Sequence, residues 1–478
     1  MLTAKPGFAE GVTIGSIMQL PDGLVVVVKG DCPTCQLVAP VLKGIPGITV
    51  ATQDDPSFPS DSALDDTSLE LSFALDIETV PTLLKIENGE VVESTVGWSR
   101  DLWRKITGID TLGEGLPEHR PGCGSRTLDP DVVASRIDTS HLRSRRVKVG
   151  SLEDDIEACI ARGWSDGLPV VPPTPVRVAK MLEGTTRKAD EIVAVVPPDL
   201  AECTVEKVAI NAVLAGCKPE YLPVVIASVE AACTDDFNMH GLLATTYFSG
   251  PVIVVNGPIS KRIGMNSGVN ALGQGNRANS SIGRALQLVI RNVGGGRPGG
   301  VDRATLGNPG KLSFCFAEDE ANSPWEPLAE GDAVTLFCGE GPRGIVDQIS
   351  RTPESLAKSF AVCLRTVAHP KLVLGFDAML IVSPEHASRF KEAGWTKQRL
   401  RDEINANLQI PGSELVRGAG GIEEGLPEAF AGATLPKFRP DGLLIVHAGG
   451  GAGLFSAIVG GWVAGETGSK PVTRAIRP

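Results

Sequence analysis

Apolar runs alternate with amphipathic stretches of helical length along most of this chain. The first run, residues 24–28, is uninterrupted and reads as a buried strand. Residues 36–42 read as the opening of a helix, and 48–51 as a short β-rich run. A helical stretch over about 67–75 and a strand over 79–86 follow. Asn88-Gly89 is a hairpin signal between two alternating runs, and 100–106 closes the series as a helix. The predicted order is β-α-β-α-β-β-α.

Beyond it, from Gly108 to Val149, turn formers and charge replace hydrophobic periodicity, so residues 111–150 read as a linker. Periodicity returns at 151–162, where Leu152, Ile156 and Ile160 are four apart. Thr174 and Pro175 make a helix start that runs to Leu182. A strand is expected over 193–196, helices over 205–215 and 222–232, and a fully apolar strand over 251–257. Apolar strands interleaved with helices predict a sheet covered on both faces. The fold class is therefore α/β: a domain over 1–110, then a large Gly-rich α/β region over 151–478. A division into two subdomains would fall near 330–360. The strands at 251–257 and 442–449, and the apolar run 374–382, share a style without a residue-level repeat.

A length of 478 residues exceeds one domain. The net charge of -12 argues against nucleic-acid partners and anionic membranes. Residues 1–7 lack the apolar core of a signal peptide, and no run is long enough for a membrane helix. The ten cysteines are scattered apart from one pair, as in a reduced cytoplasmic protein.

That pair, Cys32-Pro33-Thr34-Cys35, sits at a strand-to-helix junction. There the first sulfur meets unpaired N–H groups and the positive end of the helix dipole, which favour a thiolate. The second thiol, one turn on, can resolve a mixed disulfide. Together with Val80-Pro81-Thr82 about fifty residues later, residues 1 to about 110 resemble the thioredoxin family. The resemblance implies a redox-active Cys32–Cys35 disulfide, a cis Pro81 against the sulfurs, and substrate backbone pairing at Val80, with no further cofactor. Two positions depart from the family. Asp31 stands where Trp is common, and its charge is expected to raise the Cys32 pKa. Val26 replaces a buried Asp that serves the second thiol. A redox-inert docking domain or a metal-binding pair are the alternatives.

Cys123, flanked by glycines and lying between Arg120 and Arg126, is a candidate relay thiol that could reach Cys32, its pKa lowered by those cations. Cys315 is a second relay candidate, although a buried structural cysteine suits its strand better. For an anionic substrate the candidates are Asn276, Arg277 and Arg284 around a helix start, and His447 before Gly449-Gly450-Gly451. Residues 442–447, that glycine turn and a helix over 454–459 would form a phosphate-cradling loop. His386 reads as a cap neighbour at a helix start, and the cluster 235–240 is a weak metal candidate. Three functions follow: a thiol-disulfide oxidoreductase module supplying reducing equivalents to the α/β domain, a non-redox enzyme for a small anionic substrate with a docking domain, or a binding protein. Expected partners are a thiol/disulfide redox partner or a small-molecule substrate, with a second copy of the chain also admissible.

Overall fold

The computed structural model describes residues 22–150, 153–465 and 467–478. The reading of residues 1–7 and the helical position Leu152 lie outside the described residues. The chain is α/β and divides into two compact units, Met1–Ile137 and Asp138–Pro478.

In the first unit, β1 (Gly23–Val28), α1 (Pro33–Leu42), β2 (Thr49–Thr52), β3 (Leu64–Asp65), α2 (Glu70–Ala74), β4 (Thr79–Val80), β5 (Thr82–Glu87), β6 (Glu90–Val96), β7 (Trp98–Ser99) and α3 (Arg100–Thr107) keep the predicted order of the longer elements, with the two-residue strands β3 and β7 added and the strand expected over 79–86 split into β4 and β5. The main sheet runs β3-β2-β1-β5-β6. Val25 to Val28 of β1 are wholly buried, as a central strand covered on both faces requires. Asn88 and Gly89 turn the β5–β6 hairpin with φ of 53° and 77°. Trp98 and Trp103, fully buried and 5.1 Å apart, fill the core beside α3.

Residues 111–137 belong to this unit and are not a linker. β8 (His119–Arg120) pairs with β7, β9 (Cys123–Gly124) pairs with β4, and α4 (Pro130–Arg136) follows. Ladders of two residues are too short to print a period on the sequence, so the segment looks irregular while its backbone is paired.

The second unit opens with α5 (Asp155–Ala161), α6 (Pro175–Leu182), the hairpin β10 (Ile192–Val196) and β11 (Ala201–Thr204), α7 (Val205–Ala215), α8 (Leu222–Ala232) and α9 (Met239–Ala244). Thr174 caps α6 as expected, its Oγ1 accepting from the Arg177 N–H. Then come β12 (Gly250–Asn256), α10 (Pro258–Arg262), α11 (Arg277–Asn292), β13 (Cys315–Ala317) and β14 (Ala333–Gly339). β15 (Arg343–Val346), α12 (Pro353–Leu364), β16 (Phe376–Val382), α13 (Pro384–Glu392), α14 (Lys397–Asn407), β17 (Gln409–Pro411), α15 (Gly412–Leu415), β18 (Thr434–Pro436), β19 (Leu443–His447), β20 (Phe455–Val463) and β21 (Val472–Ala475) complete it.

One eight-stranded sheet, with the path β13-β12-β14-β20-β16-β19 and with β15 paired to β20 and β21 to β14, crosses the point where two subdomains were expected. It is a topological repeat. In each half, a central strand (β12 or β16) has a parallel neighbour reached through helices (β13 or β19) and an antiparallel one (β14 or β20). The two antiparallel strands meet at Gly339 and Gly461. The counterpart of 251–257 is therefore β16, and 442–447 corresponds to β13. One face of all six strands of that path shares a single apolar cluster, including Val254, Phe316, Phe337, Ile381, Val446 and Val459, so the sheet curls around it. Its edges meet where the Asp319 N–H donates to the His447 carbonyl at 2.8 Å. On the outer face α7, α8 and α11 pack over one half and α12 to α14 over the other.

Residues 455–463 form a strand, not the helix expected over 454–459. The segment carries Ile458, Val459 and Val463 and is buried between partners on both sides, and β-branched side chains suit that setting. The glycine turn before it joins two strands, so the phosphate-loop architecture is not present.

Candidate functional site

The thiol site is built by α1. Cys32 is its N-cap, in extended backbone, and Pro33 follows at the first helical position, where its missing N–H costs nothing. The Cys32 Sγ accepts from the Cys35 N–H at 3.3 Å, satisfying one orphan donor of the first turn. Both sulfurs are wholly buried. Val80 and Pro81, joined by a cis peptide, lie beside them, with the Val80 carbonyl 3.5 Å from the Cys32 Sγ.

Cys123 completes the site. The β4–β9 ladder sets it opposite Val80, and its Sγ stands 2.6 Å from that of Cys32. Gly122 permits this approach: a Cβ there would meet the Thr79 Cγ2 at 2.4 Å and the Val80 carbonyl at 2.8 Å. Thr34 Oγ1 donates to the Pro121 carbonyl at 2.7 Å and fixes the strand over the helix start.

The three thiols differ in acidity. Burial pushes the Cys32 thiol up, but hydrogen bonds from Cys123 and then from Cys35 outweigh it and hold it below the usual thiol value. Burial pushes Cys123 up, and its closeness to Cys32 adds to this. Burial pushes Cys35 up strongly, against a weaker hydrogen bond from the Lys29 N–H, and it stays a thiol.

Two expectations are corrected. Asp31 does not raise Cys32, because its exposed carboxylate turns to Lys29, 3.2 Å away. Arg120 and Arg126 do not lower Cys123. Arg120 is exposed, and Arg126 is engaged by Asp129 and by the Gln53 carbonyl. Lys29 is the cation that favours the Cys123 thiolate, and its effect is outweighed. Val26 is buried among apolar neighbours and brings no acid near Cys35.

A buried polar network was not foreseen. Gln53 Nε2 donates to Ser72 Oγ and Ser125 Oγ, both at 2.7 Å, and Ser72 Oγ donates to Asp66. Thr127 Oγ1 donates to the Ile77 carbonyl at 2.6 Å. These bonds anchor the chain just after Cys123. The one signal in the sequence was a run of hydroxyls, Ser125 and Thr127, beside a cysteine.

Replacing Cys123 by alanine removes the hydrogen bond that most favours the Cys32 thiolate, so the Cys32 pKa should rise. Titration of thiolate absorbance on the reduced protein measures this. A Cys32 pKa unmoved in Cys123→Ala would mean that the helix start alone sets it.

No family model and no curated protein matches this chain.

The second unit separates the remaining candidates. Cys315 lies in the buried strand β13, and burial pushes its thiol up, which leaves no accessible sulfur for a relay. Arg284 is held by both oxygens of Asp166 at 2.7 Å and is not free for an anion. Arg277 is exposed and donates to the Gly216 carbonyl, while Asn276 caps α11 through the Asn279 N–H. His447 is buried at the end of β19, and burial pushes its imidazole pKa down. Gly449 donates to the Ser267 carbonyl at 2.8 Å and Gly450 packs on Val269, so the glycine turn and the 264–281 tract do meet. Gly451 is open. His386 is wholly buried in α13, with Ser456 Oγ and the Asp347 carbonyl on its two nitrogens. Among the described residues no three His, Cys, Asp or Glu side chains are grouped to hold a metal ion. No helix of the described residues is long and apolar enough to cross a membrane. A cavity of about 580 Å³ lies among Arg145, Trp164, Pro173, Lys207, Asn211 and Asn292, lined by none of the residues read as anion contacts.

Proposed function

We propose that the first unit is a thioredoxin-like thiol-disulfide oxidoreductase module, serving the second unit in a reducing, cytoplasmic setting. The order of its elements, the Cys32 cap of α1 and the Val80–Pro81 peptide beside the sulfurs all support the reading. One observation carries it. The Cys32 Sγ caps the start of α1 on the Cys35 N–H at 3.3 Å, with the Cys123 Sγ 2.6 Å away, which sets a reactive sulfur at a helix N-terminus beside two further thiols.

The Cys32 thiolate attacks a disulfide sulfur, one thiolate leaves, and a mixed disulfide forms. Cys35 then attacks the Cys32 sulfur, releases the second thiol, and closes the Cys32–Cys35 disulfide. Cys35 keeps its proton until it attacks, so resolution waits for the mixed disulfide to form. The alternative, a non-redox enzyme for a small anion, loses support from the engagement of Arg284 by Asp166.

The test is a reduction potential for Cys32/Cys35, measured by equilibration in dithiothreitol or glutathione buffers with mass detection of alkylated thiols. A two-electron couple between roughly -270 and -120 mV is expected. A pair that forms no disulfide in any buffer sinks the proposal.

A further inference from the structure

We propose that the chain around Cys123 is a tethered substrate strand, which closes the thiol site to protein disulfides and makes Cys123 the sulfur at which small disulfides enter. This rests on the thiol-exchange reading above and narrows its substrate class.

An extended peptide recognised at this site would add to the free edge of β4, backbone to backbone. That edge is taken. Thr79 faces Gly124 and Val80 faces Cys123 in an antiparallel ladder. The strand is anchored on both sides. Before it, Trp98 Nε1 donates to the Pro117 carbonyl at 2.8 Å and the Arg100 N–H to the Glu118 carbonyl at 2.9 Å. After it, the Ser125 N–H donates to the Glu78 carbonyl at 3.0 Å, and Gln53 and Ile77 hold Ser125 and Thr127. Gly97, at φ 69°, has no room for a side chain either, since a Cβ would meet the Gly122 N at 2.8 Å. The result is an inverted accessibility. Cys32, the better thiolate, is sealed, and Cys123, the weaker one, is partly open to solvent.

A small disulfide R–S–S–R needs no strand pairing and can meet Cys123 directly. Cys123 passes its proton to the adjacent Cys32 sulfur and its thiolate attacks one sulfur; the S–S bond breaks, and the leaving R–S⁻ takes that proton as R–SH, which restores the Cys32 thiolate. The Cys32 thiolate attacks Cys123 in the resulting Cys123–S–S–R, expels R–S⁻, and forms Cys32–Cys123. Cys35 attacks Cys32, returns its proton to Cys123, and closes Cys32–Cys35. One disulfide is reduced to two thiols, and two protein thiols are oxidised to one disulfide.

The test uses the reduced full chain with limiting bis(2-hydroxyethyl) disulfide, acid quenching and peptide mapping, beside scrambled ribonuclease as the protein disulfide. The first adduct is expected on Cys123, and the small disulfide should react about tenfold or more faster than the protein one. Cys123→Ser should slow the small-disulfide reaction by about tenfold. Gly122→Val should lift the strand and raise protein-disulfide reduction by about tenfold. A first adduct on Cys32, or an unchanged rate in Cys123→Ser, overturns the inference. If Gly122→Val fails to fold, adduct mapping on the wild-type chain decides alone. Failure of the underlying reading looks different: Cys32 and Cys35 would then form no disulfide in glutathione buffers, even in Cys123→Ser.

Discussion

Replacing Cys32 by serine should abolish closure of the Cys32–Cys35 disulfide and turnover by the first unit, a loss of about a thousandfold or more, with the adduct on Cys123 as the end point of reaction with a small disulfide. A serine hydroxyl at the same N-cap accepts the same Cys35 N–H, so the helix start survives while the nucleophile is lost. Cys35→Ser keeps the Cys32 sulfur and should instead release both small thiols once and stall as the Cys32–Cys123 disulfide, isolable by mass spectrometry. The contrast is diagnostic because both sulfurs are equally buried and only one is held low. Single-turnover reaction of the reduced chain with a small disulfide, followed by alkylation, measures both. The same end point in the two variants would remove Cys32 from the role of the sulfur that attacks the Cys123 adduct.

The thiol pair was legible in the sequence because its determinants are local. A strand, a turn and a helix start lie within about fifteen residues, and helix-terminus electrostatics follow from that order alone. The third sulfur was legible only as a residue type. Nothing local says that Cys123 meets Val80, since that contact depends on two-residue ladders and on glycines whose absent Cβ atoms make room. The charges around it misled for the same reason. Arg126 and Asp31 are close in sequence to sulfurs they do not serve, and each is engaged by an opposite charge two or three residues away, Asp129 and Lys29, with the Gln53 carbonyl also on Arg126. In the second unit the periodicities located β12, α7 and α8, because fully apolar runs and 3.6-residue stripes are strong signals. The glycine turn before β20 misled because a buried strand and a buried helix share an apolar composition. The topological repeat left no residue-level period because its equivalent strands, which start at 250 and 376, 315 and 443, and 333 and 455, share packing without sharing residues.

His447 attracted notice as a lone histidine at a strand end, and its surroundings predict a large stability effect at a neighbouring residue. Glu318 is 3% exposed and sits where the two sheet edges meet. One carboxylate oxygen accepts from Asn256 Nδ2 and from the Leu328 N–H, both at 2.7 Å. The other stands 3.8 Å from the ammonium of Lys397, itself 3% exposed. Removing one member of a buried pair leaves the other charge uncompensated, so Glu318→Ala should destabilise the second unit by about 3–5 kcal/mol. Burial already pushes the Lys397 pKa down, against the pull of Glu318, and without that carboxylate it falls further. The sign of the pH dependence follows. A lysine with a lowered folded pKa gives stability that rises with pH, from its folded value to its unfolded value near 10.5, because only the unfolded chain still holds the proton there. The deficit of Glu318→Ala should therefore be largest at neutral pH and narrow as the solution becomes alkaline. Urea unfolding of the full chain at two pH values measures it. A loss below about 1 kcal/mol, or one that widens with pH, would mean that Lys397 is solvated by other groups and that Glu318 does not hold the two sheet edges together electrostatically. Glu318→Gln keeps the acceptor for Leu328 while losing the charge, so the gap between the two variants separates the hydrogen bonds from the ion pair.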